Sequence, residues 1–238
     1  MTLSSPSDTI NTWQESSVDG LQVLPLDCVS LDQLLLGGLE RGVITKVYGE
    51  AGSGKTTMCL QAARECVKKD FQVVFLDTEG VSVKRLRQLC ASQEMMQTVL
   101  DHMKFFSPTS FAEQEEVLKE VFHHEHVGLV IVDTMNLLYR LALEDEFDSA
   151  RRGFIRQMST LQLNARLHNA WVLIAEQVYT DKKGVIQPFT HKDTGHMVKT
   201  MLRLDKLQGA RRKAVITKHR CQPEGASAVF SLSQGGLE

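Results

Sequence analysis

The chain has 238 residues, 42% of them apolar and 24% charged, with a formal net charge of −2. That composition describes a soluble globular protein with room for one α/β domain and not for two large ones. It argues against a helical membrane protein, since no apolar run approaches ~20 residues, and against a secreted one, since the N-terminus lacks a basic-then-apolar leader. Five scattered cysteines, Cys28, Cys59, Cys66, Cys90 and Cys221, are odd in number and lack C-x-x-C spacing. Free thiols in a reducing, intracellular setting are therefore expected, rather than disulfides or zinc.

In chain order, residues 1–20 are polar and read as a flexible lead-in, with one folded domain over 21–238. Ser30-Leu31-Asp32-Gln33 has the form of a capping box opening a short helix, which Gly37-Gly38 would stop. Gly42 to Tyr48 is a core strand. Behind it stands Gly49-Glu50-Ala51-Gly52-Ser53-Gly54-Lys55-Thr56-Thr57, which satisfies the G-x-x-x-x-G-K-[ST] pattern of a phosphate-binding loop. A helix follows from Met58 and ends near Lys69-Asp70. Strand, loop and helix form the setting this motif requires. The glycines let backbone N–H groups turn inward on one anion, Lys55 reaches the β- and γ-phosphates, and the Thr56 hydroxyl holds magnesium. The helix N-terminus faces the same charge. A bound nucleoside triphosphate is the expectation.

Gln72 to Leu76 is a second buried strand, followed by Asp77-Thr78-Glu79-Gly80 and a helix over about 82–91. His102 to Phe106 is a candidate short strand, and Ser110-Phe111-Ala112-Glu113 is another capping box before a helix. The His123-His124-Glu125-His126 cluster reads as a solvated helix end rather than a metal site. Gly128 to Val132 is a third buried strand ending in Asp133. A long helix over about 148–168 leads to a fourth strand, Ala170 to Ala175. Three shorter strands, Thr200–Leu204, Ala214–Lys218 and Ala228–Leu232, form an antiparallel tail.

Strands alternating with helices predict a mostly parallel sheet with helices on both faces and the ligand outside the carboxyl ends of the strands. The phosphate loop, Glu79, Asp133 and Glu176-Gln177 all converge there. Asp133 takes the magnesium-water role and Glu79 is placed to accept the proton of an attacking water, with Asp77 two residues away as its competitor. Gln177 is placed to sense the γ-phosphate. Charge is distributed unevenly: from Lys182 to Arg220 eleven Lys or Arg meet two acids, giving +9, and the remaining 16 basic residues meet 27 acids, giving −11. Such a segment suits either a nucleic-acid footprint or a solvated sheet edge.

With these residues assembled, the chain resembles the RecA/RadA recombinase ATPase core, and within it the archaeal RadB family, from about Leu24 to Glu238. The segments that carry the resemblance are Val29-Ser30-Leu31-Asp32-Gln33-Leu34-Leu35 with Gly37-Gly38, the phosphate loop, and Leu76-Asp77-Thr78-Glu79-Gly80-Val81-Ser82. Val130-Ile131-Val132-Asp133 with Leu138-Tyr139-Arg140, and Glu176-Gln177-Val178, add to them. Lys218-His219-Arg220 followed by Pro223-Glu224-Gly225 is the most family-specific piece. The resemblance implies a RecA-like P-loop core binding ATP and Mg2+, with Gln177 as the sensor. It also implies that Lys218, Arg220 and Pro223 contribute to nucleotide binding; the two cations act in cis, in trans on a neighbour's nucleotide or on DNA phosphates, with plain solvation as the remaining alternative.

Two departures are informative. Only about twenty polar residues precede the core, without the N-terminal DNA-binding domain or a Phe-x-x-Ala motif. The segment matching the first DNA-binding loop, Leu143-Glu144-Asp145-Glu146-Phe147-Asp148, is acidic and repels phosphates, and the second, about 179–191, is short. The favoured function is an ATP- and DNA-binding accessory protein of homologous recombination and repair. It has weak ATPase activity and works as a nucleotide switch that assists the RadA recombinase. The implied partners are single-stranded and branched DNA, RadA, a Holliday-junction resolvase and a weakly associating second copy, in the cytoplasm at the nucleoid. A DNA-stimulated ATPase that forms filaments and exchanges strands, and a RecA-like signalling ATPase that never touches DNA, remain as alternatives.

Overall fold

The computed structural model describes residues 23–180, 186–188 and 194–238. The lead-in, Lys182-Lys183 and most of the second-loop segment lie outside these residues. Eight strands form one sheet in the order β12-β11-β10-β3-β7-β6-β4-β5. They are β3 (Ile44–Gly49), β4 (Gln72–Asp77), β5 (Met103–Phe106), β6 (Val127–Asp133), β7 (Trp171–Glu176), β10 (Val198–Lys206), β11 (Arg211–Lys218) and β12 (Ser227–Ser231). The run from β10 to β5 is parallel throughout, and β11 and β12 extend it antiparallel. β10 thus belongs to the parallel core, in register with β3, and only its two successors form the antiparallel tail. Two short pairs lie outside: β1 (Val23–Leu24) with β2 (Leu39–Glu40), and β8 (Val178–Thr180) with β9 (Ile186–Pro188).

Alternation with period two divides the strands between two cores. Val73, Phe75, Leu129, Ile131, Trp171 and Leu173 face one side, where α1 (Val29–Leu34), α2 (Lys55–Val67), α3 (Val83–Leu89) and α4 (Gln93–His102) pack. Val74, Leu76, Val130, Val132, Val172 and Ile174 face the other, under α5 (Phe111–Glu120), α6 (Leu137–Asp145) and α7 (Phe147–Leu167). The central strands are buried on both faces, which is why they read as continuous apolar runs. Lys46, inside β3, is the exception, 1% exposed and 2.9 Å from the Glu176 carboxylate at the end of β7. On α2, the buried Gln61 donates from Nε2 to the carbonyls of Leu26, Asp27 and Leu237, and its Oε1 accepts from Leu237 N–H.

Four local features differ from expectation. Helix α1 starts two residues earlier, after Cys28, and Ser30 does not cap it. Instead Asp32 reaches back to the N–H groups of Leu26 and Cys28, at 2.7 and 3.2 Å. Helix α4 lies where no element was expected. It is opened by Ser92, which accepts from Met95 N–H, and it buries Met96 and Val99; Met95, Met96, Val99 and Leu100 keep helical spacing, a pattern that sequence reading passed over. Glu113 completes its box one residue upstream, on Thr109 N–H at 2.7 Å, while Ser110 accepts from Glu113 N–H. The acidic segment 143–148 is the end of α6 and the corner into α7, its carboxylates exposed.

Candidate functional site

The carboxyl end of β3 passes directly into the phosphate loop, and Lys55 is the first residue of α2. Gly52 (φ 74°) and Gly54 (φ 109°) lie in the left-handed region that disfavours other residues. Gly49 is required for a different reason: a Cβ there would stand 2.4 Å from the Leu204 carbonyl oxygen of β10. Lys55 folds back over the loop, donating from Nζ to the carbonyls of Gly49 (2.8 Å) and Glu50 (3.1 Å). Burial lowers its pKa, and the carboxylates of Glu79 and Asp133 oppose that shift.

Asp133 ends β6 beside the loop, 1% exposed. Burial pushes its carboxyl up to about 6, and a hydrogen bond from Thr56 works in the other direction. Two buried oxygens here have no hydrogen-bond partner among the described residues, Asp133 Oδ1 and Ser53 Oγ. Buried polar atoms are rarely left so, and an unmet acceptor beside a magnesium-type threonine is what a cation site requires. The residues present fit a nucleotide with its magnesium: Gly49, Glu50, Ala51, Gly52, Ser53, Gly54, Lys55, Thr56 and Thr57 around the phosphates, Thr56 and Asp133 toward the metal.

Of the two carboxylates after β4, Asp77 is fully engaged. It accepts from the N–H groups of Glu79 (3.1 Å), Gly80 (2.8 Å) and Val81 (2.5 Å), holding the turn that presents Glu79. Asp77 is thereby a support for that turn rather than a competitor for a water's proton. Glu79 Oε1 accepts from Thr134 Oγ1 (3.0 Å) and from Gln177 Nε2 (2.7 Å). The amide oxygen of Gln177 accepts in turn from Arg140 Nη1 at 2.9 Å. Asn136 clamps the Gln177 backbone, donating to its carbonyl (2.9 Å) and accepting from its N–H (3.0 Å). Thr134, Asn136 and Arg140 were not singled out as site residues by sequence reading. For Thr134 and Asn136 the signal was position, just past Asp133 on the same strand exit; Arg140 also lay in the Leu138-Tyr139-Arg140 segment of the resemblance. Arg212 was missed too. From the basic segment it donates to the Gly52 carbonyl from Nε (3.2 Å) and Nη2 (3.0 Å).

Lys218, Arg220 and Pro223 lie elsewhere. Since β11 runs antiparallel, Arg212 meets the loop end of β10 while Lys218 pairs with Met201 near its start. Lys218 Nζ donates to the Gly195 carbonyl (2.7 Å), Arg220 pairs with Glu40 (2.7 Å), and Pro223 accepts from Ala226 N–H in the turn beyond. The structure does not bring these three to the loop of their own chain. The histidine cluster is a surface feature: His123 pairs with Glu120 and His124 stacks on Phe106. No group of three metal-ligating side chains forms among the described residues. All five cysteines are free, and only Cys221 is exposed. No described helix is long and apolar enough to cross a membrane.

The family model described as Rad51 matches residues 21–238. A protein of Methanococcoides burtonii called "DNA repair and recombination protein RadB" is 40% identical over 215 residues, 88% of this chain and 95% of its own length. A protein of the same name from Thermoplasma acidophilum is 34% identical over 212 residues, 87% of this chain and 90% of its own. A solved structure, described as a crystal structure of the RadB recombinase, superposes with a TM-score of 0.80 at 33% identity. That match covers 90% of this chain and 98% of the solved one. A glycine loop that a Cβ would close, an orphaned aspartate beside it and these matches over nearly the whole domain agree: the chain belongs to the Rad51 family, in its archaeal RadB branch.

Proposed function

We propose that this chain is an ATP- and DNA-binding accessory protein of recombination and DNA repair, in which the nucleotide works chiefly as a switch. The observation that carries the reading is the 2.7 Å hydrogen bond from Gln177 Nε2 to Glu79 Oε1. It ties the group placed to accept a water's proton to the residue that opens the segment after β7. One event at the phosphates is therefore felt at both.

Magnesium, when bound by Thr56 and Asp133, supplies positive charge beside the β- and γ-phosphates. The chain's own residues do the rest. Lys55 gives up two carbonyl bonds to face the phosphates, Gln177 exchanges Glu79 for a phosphate oxygen, and Glu79 is freed to orient and deprotonate water. Arg140 and Asn136 limit that exchange by holding the Gln177 amide and backbone. A carboxylate and an amide held by each other favour slow turnover, as expected of a switch. Lys218, Arg220 and Pro223, remote from their own loop, suit contact with a second copy's nucleotide. DNA, a RadA-type recombinase and a junction resolvase are the partners this reading assigns.

The test is steady-state ATP hydrolysis with and without single-stranded DNA, with Lys55→Ala as the blank. A rate near the blank and unmoved by DNA, together with measurable ATP and DNA binding, is the expected result. Strong DNA stimulation lost in Glu79→Gln would replace the switch with a catalytic filament.

A further inference from the structure

At the edge of the sheet opposite the phosphate loop lies a cavity of about 420 Å³. Its walls come from four separate parts of the chain: the turn before β3, the end of α7, the start of β10 and the segment after β11. The size falls within the range of small-ligand sites, ~300–1,000 Å³. Four of its lining residues are cations, Arg41, Arg166, Lys199 and Arg220, against a single carboxylate, Glu40.

Glu40 is already used, by Arg220 at 2.7 Å. Among the described residues, Lys199 Nζ donates only to the carbonyl of His196 (3.0 Å). Arg41 and Arg166 make no side-chain hydrogen bond or ion pair among the described residues. Arg41 is nonetheless fixed. Its guanidinium lies 3.8 Å from the Trp171 ring centroid and 4.6 Å from that of Phe71, and its Nε is buried without a partner. A planar donor fork held between two rings is pre-organised for an oxyanion and loses little further freedom on binding one. Arg41, Arg166 and Lys199 line one concavity without a carboxylate partner among the described residues, and a bound anion would meet all three charges.

We propose that this cavity is a second anion site, which takes a phosphate group. The phosphate comes either from a nucleic-acid backbone or from a free phosphate compound. It is separate from the nucleotide site: β3 starts beside the cavity and ends in the loop, six residues or about 20 Å away. The Lys55→Ala change removes the first site and leaves the second, so this inference stands or falls apart from the switch proposed above.

The experiment uses the full chain carrying Lys55→Ala, with and without Arg166→Gln/Lys199→Gln. Inorganic pyrophosphate is titrated by calorimetry, and a labelled oligo-dT by anisotropy across a salt series. Lys84→Gln/Lys104→Gln, the same charge change on α3 and β5, is the control, and thermal unfolding verifies that each variant is folded. If the phosphate is a free compound, pyrophosphate binding weakens at least tenfold in the Arg166/Lys199 variant and the DNA salt slope is unmoved. If it belongs to nucleic acid, the slope of log K against log salt becomes shallower by about 1.4, for two lost phosphate contacts on a single strand. Pyrophosphate binding and salt slope both unchanged, or both changed equally by the control pair, overturn the proposal.

Discussion

Replacing Glu176 by Leu removes the carboxylate that faces the Lys46 ammonium inside β3, and the cost can be worked from the geometry. The two charges are 2.9 Å apart, with side chains 1% and 0% exposed. At an effective dielectric of ~20 their attraction is roughly 6 kcal/mol, and removing both ions from water offsets most of it. The pair as a unit therefore contributes little. Breaking it leaves a buried lysine without its facing carboxylate, at about 3–5 kcal/mol. Glu176→Leu should lower the free energy of unfolding by that amount in urea titrations followed by circular dichroism. Lys46→Met/Glu176→Leu, which removes both charges at similar volume, should recover most of the loss. A single variant costing under about 1 kcal/mol, or a double variant as unstable as the single, would refute the reasoning.

Asp133 supplies a pH-dependent counterpart. Its folded-state pKa is raised from 3.8 to about 6, so the folded chain holds a proton that the unfolded chain has released. The sign follows: its contribution is most favourable below about pH 4 and is lost as pH rises to about 6, by roughly 3 kcal/mol in all. Asp133→Asn should therefore gain stability relative to the parent across that window and lose the stabilisation that magnesium nucleotide gives the parent. A difference independent of pH would reject this. Gly49→Ala should abolish nucleotide binding in a folded protein, because its methyl would meet the Leu204 carbonyl at 2.4 Å; unchanged ATP affinity by calorimetry would contradict it. Asp77→Ala releases three backbone N–H groups and should cost about 1–2 kcal/mol because they stay near solvent. The Glu79–Gln177 contact should loosen with it, and amide exchange around Gln177 unchanged from the parent would detach Glu79 from its turn.

The phosphate loop, the four central strands and Asp133 were legible because each depends on neighbours in sequence: a fixed motif, or a run buried on both faces. What escaped depends on residues far apart. Asp77 and Glu79 look equivalent in sequence, and only the turn, which points three N–H groups at Asp77, separates them. Lys46 reads as an exposed break in a strand until Glu176 is brought beside it from 130 positions later. Helix α4 is different: Met95, Met96, Val99 and Leu100 keep helical spacing behind Ser92, a local signal that sequence reading passed over. The +9 segment was visible as charge and not as geography, since antiparallel β11 sends Arg212 to the nucleotide edge and Lys218 to the opposite one.

Gln61 gives the domain an uneven stiffness. Its buried amide rivets the middle of α2 to the backbone at Leu26, Asp27 and Leu237. Helix α2 therefore cannot recoil when charge arrives at its N-terminus without breaking several buried bonds at once. The Glu79–Gln177–Arg140 chain is held at the surface, where water competes for every link. On the switch reading proposed above, a bound nucleotide's charge would act where the structure yields, away from the rivet and toward Gln177. Hydrogen exchange should register the contrast, with the Leu237 amide slow whether or not nucleotide is present, and the amides around Gln177 answering to it.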